Sequence, residues 1–195
     1  MADRFANFEE LRQGKIECRH YRIRIRLTPS SVLVMAPHGC KIEPGTSELA
    51  NMIAGDDFSF YSFDGIQRRN NYTDLHITST NFDEPRAIEA VSWADTVVTI
   101  HGQGDETRSF VIIGGLHFNL STRLRVALEE AGFSVELEGP GLEGRSERNI
   151  CNRGRSGRGV QLEISRALRD ELIDDEGPRQ SFVNAVRKVL MCMTT

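Results

Sequence analysis

Along residues 20–27, HYRIRIRL, apolar and basic positions alternate strictly: Tyr21, Ile23, Ile25 and Leu27 share one face of an extended chain, and His20, Arg22, Arg24 and Arg26 the other. A strand with one wet, basic face suits the edge of a sheet, where the arginines would serve to keep that edge soluble. Before it, FANFEELRQ predicts a short helix or arm. From residue 31 the pattern changes to apolar runs fit for burial on both faces, alternating with helical segments: SVLVMA, TSELANMIAG, FSFYSF, LHIT, EPRAIEAVSWA, DTVVTI, SFVIIGG, STRLRVALEEAG, FSVELEG, VQLEIS and a closing helix RQSFVNAVRKVLM. Near-continuous Val/Ile strands alternating with helices predict an α/β fold of three layers, an open mixed and largely parallel sheet flanked by helices. No interior linker interrupts the pattern, so residues 1–195 are read as one domain. In such folds the ligand crevice lies beyond the carboxyl ends of the strands.

Composition changes this picture little. Apolar residues make up 39% and charged residues 27%, ordinary values for a globular chain, which excludes a disordered or low-complexity protein. No stretch reaches the roughly 20 apolar residues needed to span a bilayer, and MADRFANFEELRQGK lacks the apolar core of a signal peptide. A cytoplasmic location is expected. Cys18, Cys40, Cys151 and Cys192 form no CxxC pair and are read as reduced thiols. The net charge of −4 argues against nucleic acid or an anionic membrane as partner, and a monomer is expected. Locally the balance reverses. Arg145, Arg148, Arg153, Arg155 and Arg158 face one acid, Glu147, in a Gly/Ser-rich segment that is either a solvated loop or a landing place for an anionic ligand.

Two histidines stand at the ends of predicted strands, His38 after SVLVMAP and His101 after DTVVTI, each followed at once by glycine, which permits close backbone approach. Glu43 follows His38 just before a predicted helix, where the helix's positive end would favour its ionised form. Two histidines and a carboxylate, with a fourth position left to water, make a donor set for catalytic zinc; the plainer reading of Glu43 is a charge in a first helical turn. Glu163 alternates with Leu162 and Ile164 in a segment fit for a central strand, where a carboxylate is expensive unless it has a partner or a task. Beside an activated water it could serve as general base; on an edge strand it would merely be exposed. His76, read inside a short strand, and His117, read in a turn, have no carboxylate beside them in sequence. GRSGRG lacks the ending of a phosphate loop, and the G-x-S-x-G of a serine hydrolase is absent.

Taken in order, APHGCKIEPGTSELA, FYSFDG, LHITSTNFDEP, IHG, NICNRG and GVQLEISRALR resemble the phage and bacterial poly-γ-glutamate hydrolases, once labelled phage-related replication proteins, over residues 31–170. The resemblance implies a zinc-dependent amidohydrolase with a carboxypeptidase A-like open sheet. It further implies that His38, Glu43 and His101 are zinc ligands and that Glu163 is the catalytic carboxylate. Two positions depart from the family pattern: Cys40 stands where a second glycine is expected, and Gln103 where cysteine is expected. The expected substrate, poly-γ-glutamate, carries one free α-carboxylate per residue, which arginine can grip in bidentate fashion; Arg153 is expected to do so, and Asn152 to contact the substrate amide. Two other functions stay open: a zinc deacylase of small N-acyl amino acids, and a replication-associated nucleic-acid binder. The latter would need a stacking platform or basic character that the chain lacks.

Overall fold

A computed structural model describes residues 3–136 and 141–193. The strands are β1 (Tyr21–Arg26), β2 (Val32–Cys40), β3 (Ser59–Gly65), β4 (Thr96–Gln103), β5 (Val111–Gly114), β6 (Val135–Glu136) and β7 (Val160–Ser165). They form one sheet in the order β1-β3-β2-β4-β7-β5-β6. β1 runs antiparallel to β3 and β5 antiparallel to β7, while the β2–β3, β2–β4, β4–β7 and β5–β6 pairs are parallel. The mixed, largely parallel sheet expected from the pattern is therefore present. The helices are α1 (Phe8–Gly14), α2 (Thr46–Ala54), α3 (Asn71–Leu75), α4 (Pro85–Trp93), α5 (Phe118–Glu130), α6 (Arg166–Asp174) and α7 (Glu176–Met191).

Period-2 alternation in β2 assigns the layers. Val32, Val34 and Ala36 pack into a core with α2, α5, α6 and α7, whereas Leu33 and Met35 pack into a second core with α1, α3 and α4. Both faces are dry, which is why these strands read as unbroken apolar runs. β7 obeys the same rule: Val160, Leu162 and Ile164 enter the first core. Gln161 and Glu163 consequently face the other side of the sheet, where loop residues such as Gly141, Glu143 and Asn149 share a cavity wall with them.

Several expectations need correction. LHIT is not a strand; its leucine ends α3, and His76 caps that short helix with extended backbone. The alternation there is too short to compete with the turn chemistry of Asn70 and Asn71. α6 gives little signal in the sequence because RALRDELID is polar on most of its surface and buries only Leu168, Arg169 and Leu172. β1 is an edge strand as expected, but its arginines do more than solubilise it. Arg24 Nε donates to the buried Asp64 carboxylate at 2.7 Å, with Arg22 alongside at 3.3 Å. The strand expected over FSVELEG is described only as Val135–Glu136, and its remainder lies outside the described residues. Among the described residues no helix is long and apolar enough to cross a membrane.

Candidate active site

The side chains of interest gather at the carboxyl ends of β2, β4 and β7. His38 and His101 lie within their strands rather than after them. β2 shifts register between Ala36 and Gly39, a bulge that contains Pro37. Proline, having no N–H, loses nothing where a ladder is interrupted. Past the bulge the faces exchange, so His38 lies beside Ile77 and Phe82 of the second core rather than in the first. Gly39 then faces Ser47, Ser62 and Asp64 so closely that any side chain would collide with them. Cys40 has φ +55°, in the left-handed region that favours glycine, which accounts for a glycine being expected there.

Glu43 is brought back to His38 by a tight turn in which its own N–H donates to the His38 carbonyl at 3.0 Å. The four-residue spacer is thus the length of that turn. Its carboxylate accepts from Gly102 N at 2.8 Å, joining it to β4. Three distances define the cluster: His38 Nδ1 to Glu43 Oε1, 3.2 Å; His38 Nδ1 to His101 Nδ1, 3.2 Å; and His101 Nδ1 to Glu43 Oε2, 3.7 Å. The outward nitrogens are occupied, with His38 Nε2 at 2.8 Å from the Ile77 carbonyl and His101 Nε2 at 3.3 Å from Ser79 Oγ.

The Ile77 carbonyl fixes one proton of His38. A carbonyl only accepts, so His38 Nε2 carries a proton and, in the neutral ring, Nδ1 presents a lone pair. Nδ1 faces a carboxylate oxygen at 3.2 Å. Two acceptors at this range repel unless a cation or a proton lies between them, and an outward N–H fixed by a carbonyl is the usual support of a metal-ligating imidazole. The donor chemistry fits a divalent ion with mixed nitrogen and oxygen ligands such as zinc.

His76 has no carboxylate beside it in sequence, and the fold brings it to the site. Its ring lies tilted by 31° over that of His38 with centroids 4.0 Å apart, its Nδ1 meets Asp3 Oδ1 at 2.7 Å, and its Nε2 lies 3.9 Å from Glu43 Oε1. His38, Glu43 and His76 thus form a second set of three possible donors. The carboxylate partners are Asp3 and Glu43, both distant in sequence and invisible to spacing arguments. His101 Nδ1 lies slightly nearer the Glu43 carboxylate, at 3.7 Å, than His76 Nε2 does at 3.9 Å. Burial and the neighbouring His38 charge lower the His76 pKa to about 4, so its ring is neutral near pH 7.

Burial pushes the Glu43 carboxyl up, but the charges and hydrogen bonds of His38 and His101 outweigh it and hold the group well below the ordinary range. Glu163 moves the other way: burial raises it, and His101 offsets this only in part. It stands opposite His101 in the β4–β7 register and lines the same cavity of about 410 Å³. A carboxyl of raised pKa beside a site for a divalent ion is the usual setting of a general base.

Arg169, a second residue missed in the sequence, lies beneath the cluster and is 3% exposed. Its guanidinium donates to the carbonyls of Ile164 at 3.0 Å, Gln103 at 3.1 Å and Pro44. Those residues adjoin Glu163, His101 and Glu43, so one buried cation ties together the three segments of the site. Gly102 fits against it, where an added Cβ would lie 2.6–2.8 Å from guanidinium atoms.

The arginine-rich segment is less open than expected. It contains a 3₁₀ turn, Ile150–Asn152, whose three residues are buried. Asn152 cannot contact a substrate amide as expected, because both ends of its side chain are engaged. Oδ1 accepts from Leu116 N and Gly159 N, and Nδ2 donates to the Gly144 and Ser146 carbonyls. Arg153 does not line the cavity of Glu163; its NH1 donates to the Phe82 carbonyl at 3.0 Å. It borders an adjoining cavity of about 620 Å³ with Arg148, Asn81 and Asp83, and Thr80 lines both cavities. Arg155 is paired with Asp95 at 2.8 Å. His117 caps α5 by accepting from Leu120 N.

Residues 5–188 match the sequence model of the poly-gamma-glutamate hydrolases. The SPbeta prophage-derived protein YoqZ of Bacillus subtilis strain 168 is 39% identical over 175 residues, covering 89% of this chain and 62% of YoqZ, so the chain spans less than two thirds of that relative. A solved bacteriophage poly-gamma-glutamate hydrolase superposes with a TM-score of 0.92 at 30% identity, covering 98% of each chain. A zinc-free apo form of YndL gives a TM-score of 0.92 at 31% identity over the whole of both chains.

Proposed function

The chain belongs to the poly-gamma-glutamate hydrolase family, and from that premise we propose that it is a zinc-dependent amidohydrolase cleaving the γ-glutamyl amide bonds of poly-γ-glutamate. The observation that carries this reading is the convergence of His38 Nδ1, His101 Nδ1 and the Glu43 carboxylate oxygens at 3.2–3.7 Å, a nitrogen and oxygen donor set gathered at one point. His38, Glu43 and His101 would hold the ion, leaving a position for water. Zinc, when bound, supplies a Lewis acid and lowers the pKa of coordinated water towards about 7. The zinc-free form known for YndL supports the same choice of metal.

Glu163 takes a proton from the attacking water and returns it to the leaving amine nitrogen, so that one amide and one water give a carboxylate and an amine. Its raised pKa favours that return. Arg169, by holding the segments of Glu43, His101 and Glu163 to one cation, keeps the ligands and the base at fixed separation. Substrate extends from the cavity of Glu163 across Thr80 into the adjoining one. Arg148 and Arg153 are fixed there by neutral acceptors, the Asn81 amide oxygen and the Phe82 carbonyl, and have no carboxylate in ion-pair reach among the described residues. Their charge is free to meet the α-carboxylates of the polymer.

The test is digestion of poly-γ-glutamate by the zinc-loaded protein, followed by chain length and release of new amines. Loss of cleavage on chelation and its return with zinc are expected. Cleavage that persists after the metal has been removed would overturn the proposal.

A further inference from the structure

Gln161 lies two residues before Glu163 on the same face of β7 and is 4% exposed. Its amide Nε2 donates to the Leu142 carbonyl at 2.9 Å and to Glu163 Oε1 at 3.2 Å, while its Oε1 accepts from Asn149 Nδ2 at 2.9 Å. Asn149 Oδ1 in turn accepts from the backbone N–H of Cys151 at 3.1 Å, where Asn149 caps the 3₁₀ turn.

Side-chain amides can ordinarily be turned end for end, but this pair cannot. The Cys151 N–H can only donate, so it fixes the oxygen of Asn149 and points Nδ2 at Gln161. The Leu142 carbonyl can only accept, so it independently fixes the nitrogen of Gln161. Both ends of the chain thus demand the same polarity, and the result at Glu163 is an N–H aimed at Oε1. Oε2 accepts no hydrogen bond among the described residues and belongs to a side chain that lines the cavity with His38, Glu43 and His101.

On the reading of Glu163 as the general base, we propose that Gln161 is its positioning residue, holding Oε1 as an acceptor so that the proton moved during amide cleavage is carried on Oε2. The donor also fixes the carboxylate plane, so that Oε2 and not Oε1 is turned to the water. The proton leaves the water's oxygen, resides on Oε2 and passes to the amine nitrogen; no further reactant is needed. Asn149 acts one step back, by holding the Gln161 amide against reversal, and thereby joins the arginine-rich segment to the base.

The test uses the zinc-loaded full chain carrying Gln161→Met or Asn149→Asp. Gln161→Met keeps the length and removes both polar ends. Asn149→Asp keeps the acceptor for Cys151 N–H, and with it the cap, but sets an oxygen against Gln161 Oε1 and so opposes the polarity of the chain. Each is expected to lower kcat by about 10- to 100-fold, the effect of a small misplacement of a reacting group. KM should stay within about twofold and zinc content and melting temperature near those of the unaltered protein, the split that separates positioning from folding. Wild-type kcat in either variant, or loss of zinc in parallel with kcat, would overturn the proposal. Wild-type activity in Glu163→Gln would instead bring down the assignment of the base itself, an outcome that the same assay separates from the other two.

Discussion

His101 and Glu163 stand directly opposite each other in the register of the neighbouring parallel strands β4 and β7. The backbone ladder, rather than any side-chain bond, thus sets the distance between a proposed metal ligand and the proposed proton acceptor. Glu163→Gln preserves size and hydrogen bonding but cannot take the proton. Zinc content should survive and amide cleavage should fall by about 10²- to 10⁴-fold. Loss of zinc together with activity would make Glu163 a ligand instead.

Removing a ligand should empty the metal site. His38→Ala, Glu43→Ala and His101→Ala are each expected to lose stoichiometric zinc by elemental analysis, since a catalytic site held by three ligands has none to spare. In the unaltered protein, added zinc should raise the melting temperature by preferential binding to the folded state. Stoichiometric zinc retained by His38→Ala and His101→Ala alike would refute the assignment.

His76 tests the choice between the two donor sets that share His38 and Glu43. His76→Asn should keep zinc while His101→Ala loses it, because the His101 nitrogen lies 3.2 Å from His38 Nδ1 and within 3.7 Å of Glu43. The reverse pattern of zinc contents would transfer the third ligand to His76.

Arg148 and Arg153 should matter through KM and Arg155 should not. Each of Arg148→Ala and Arg153→Ala is expected to raise KM for the polymer roughly 3- to 10-fold at low salt, with the effect shrinking as salt is added. Arg155 is already engaged by Asp95, so Arg155→Ala should leave KM unchanged. Equal, negligible effects at all three positions would return the segment to a solvated loop.

Asp3 ties the start of the described chain to the active-site loop through His76 Nδ1 and, at 2.6 Å, Thr78 N. Burial raises its pKa, but the hydrogen bonds from Thr78 and His76 more than offset this and leave it depressed. A depressed carboxyl contributes stability above its unfolded value, near about 4, and loses it as pH falls through the folded one. In chelated protein, Asp3→Asn should therefore lose less stability than the unaltered chain between neutral pH and the acid side of that value. Identical acid-unfolding curves would show that the tether contributes nothing.

The sheet, most of its helices and the ends of β2, β4 and β7 were legible in the sequence because buried parallel strands leave long apolar runs. His38, Glu43, His101 and Glu163 stood out for the same reason, being polar groups where such runs stop or should exclude them. His76 did not, because its partners Asp3 and Glu43 come from distant segments. Arg169 was hidden by its place in a polar helix, and nothing local says that its guanidinium turns inward to three carbonyls. Asn152 was harder to read. Composition suggested an open loop, whereas the hydrogen bonds of Asn152 tie that loop to residues 116, 144, 146 and 159 and leave the amide no capacity for a substrate.

Pro37 sits in the surplus length of β2, between a half that packs the cores and a half that carries His38. That interruption sets the register of one half apart from that of the other. The residues beyond the bulge take their register from Asp64 and Gly65 of β3, but His38 still lies against Phe82 of the core that Leu33 and Met35 fill, so a change of volume at those two positions reaches the imidazole. The two faces of this one strand therefore differ in what they tolerate: volume exchanged at Val32 or Val34, in the other core, lies farther from the reactive edge than volume exchanged at Leu33 or Met35.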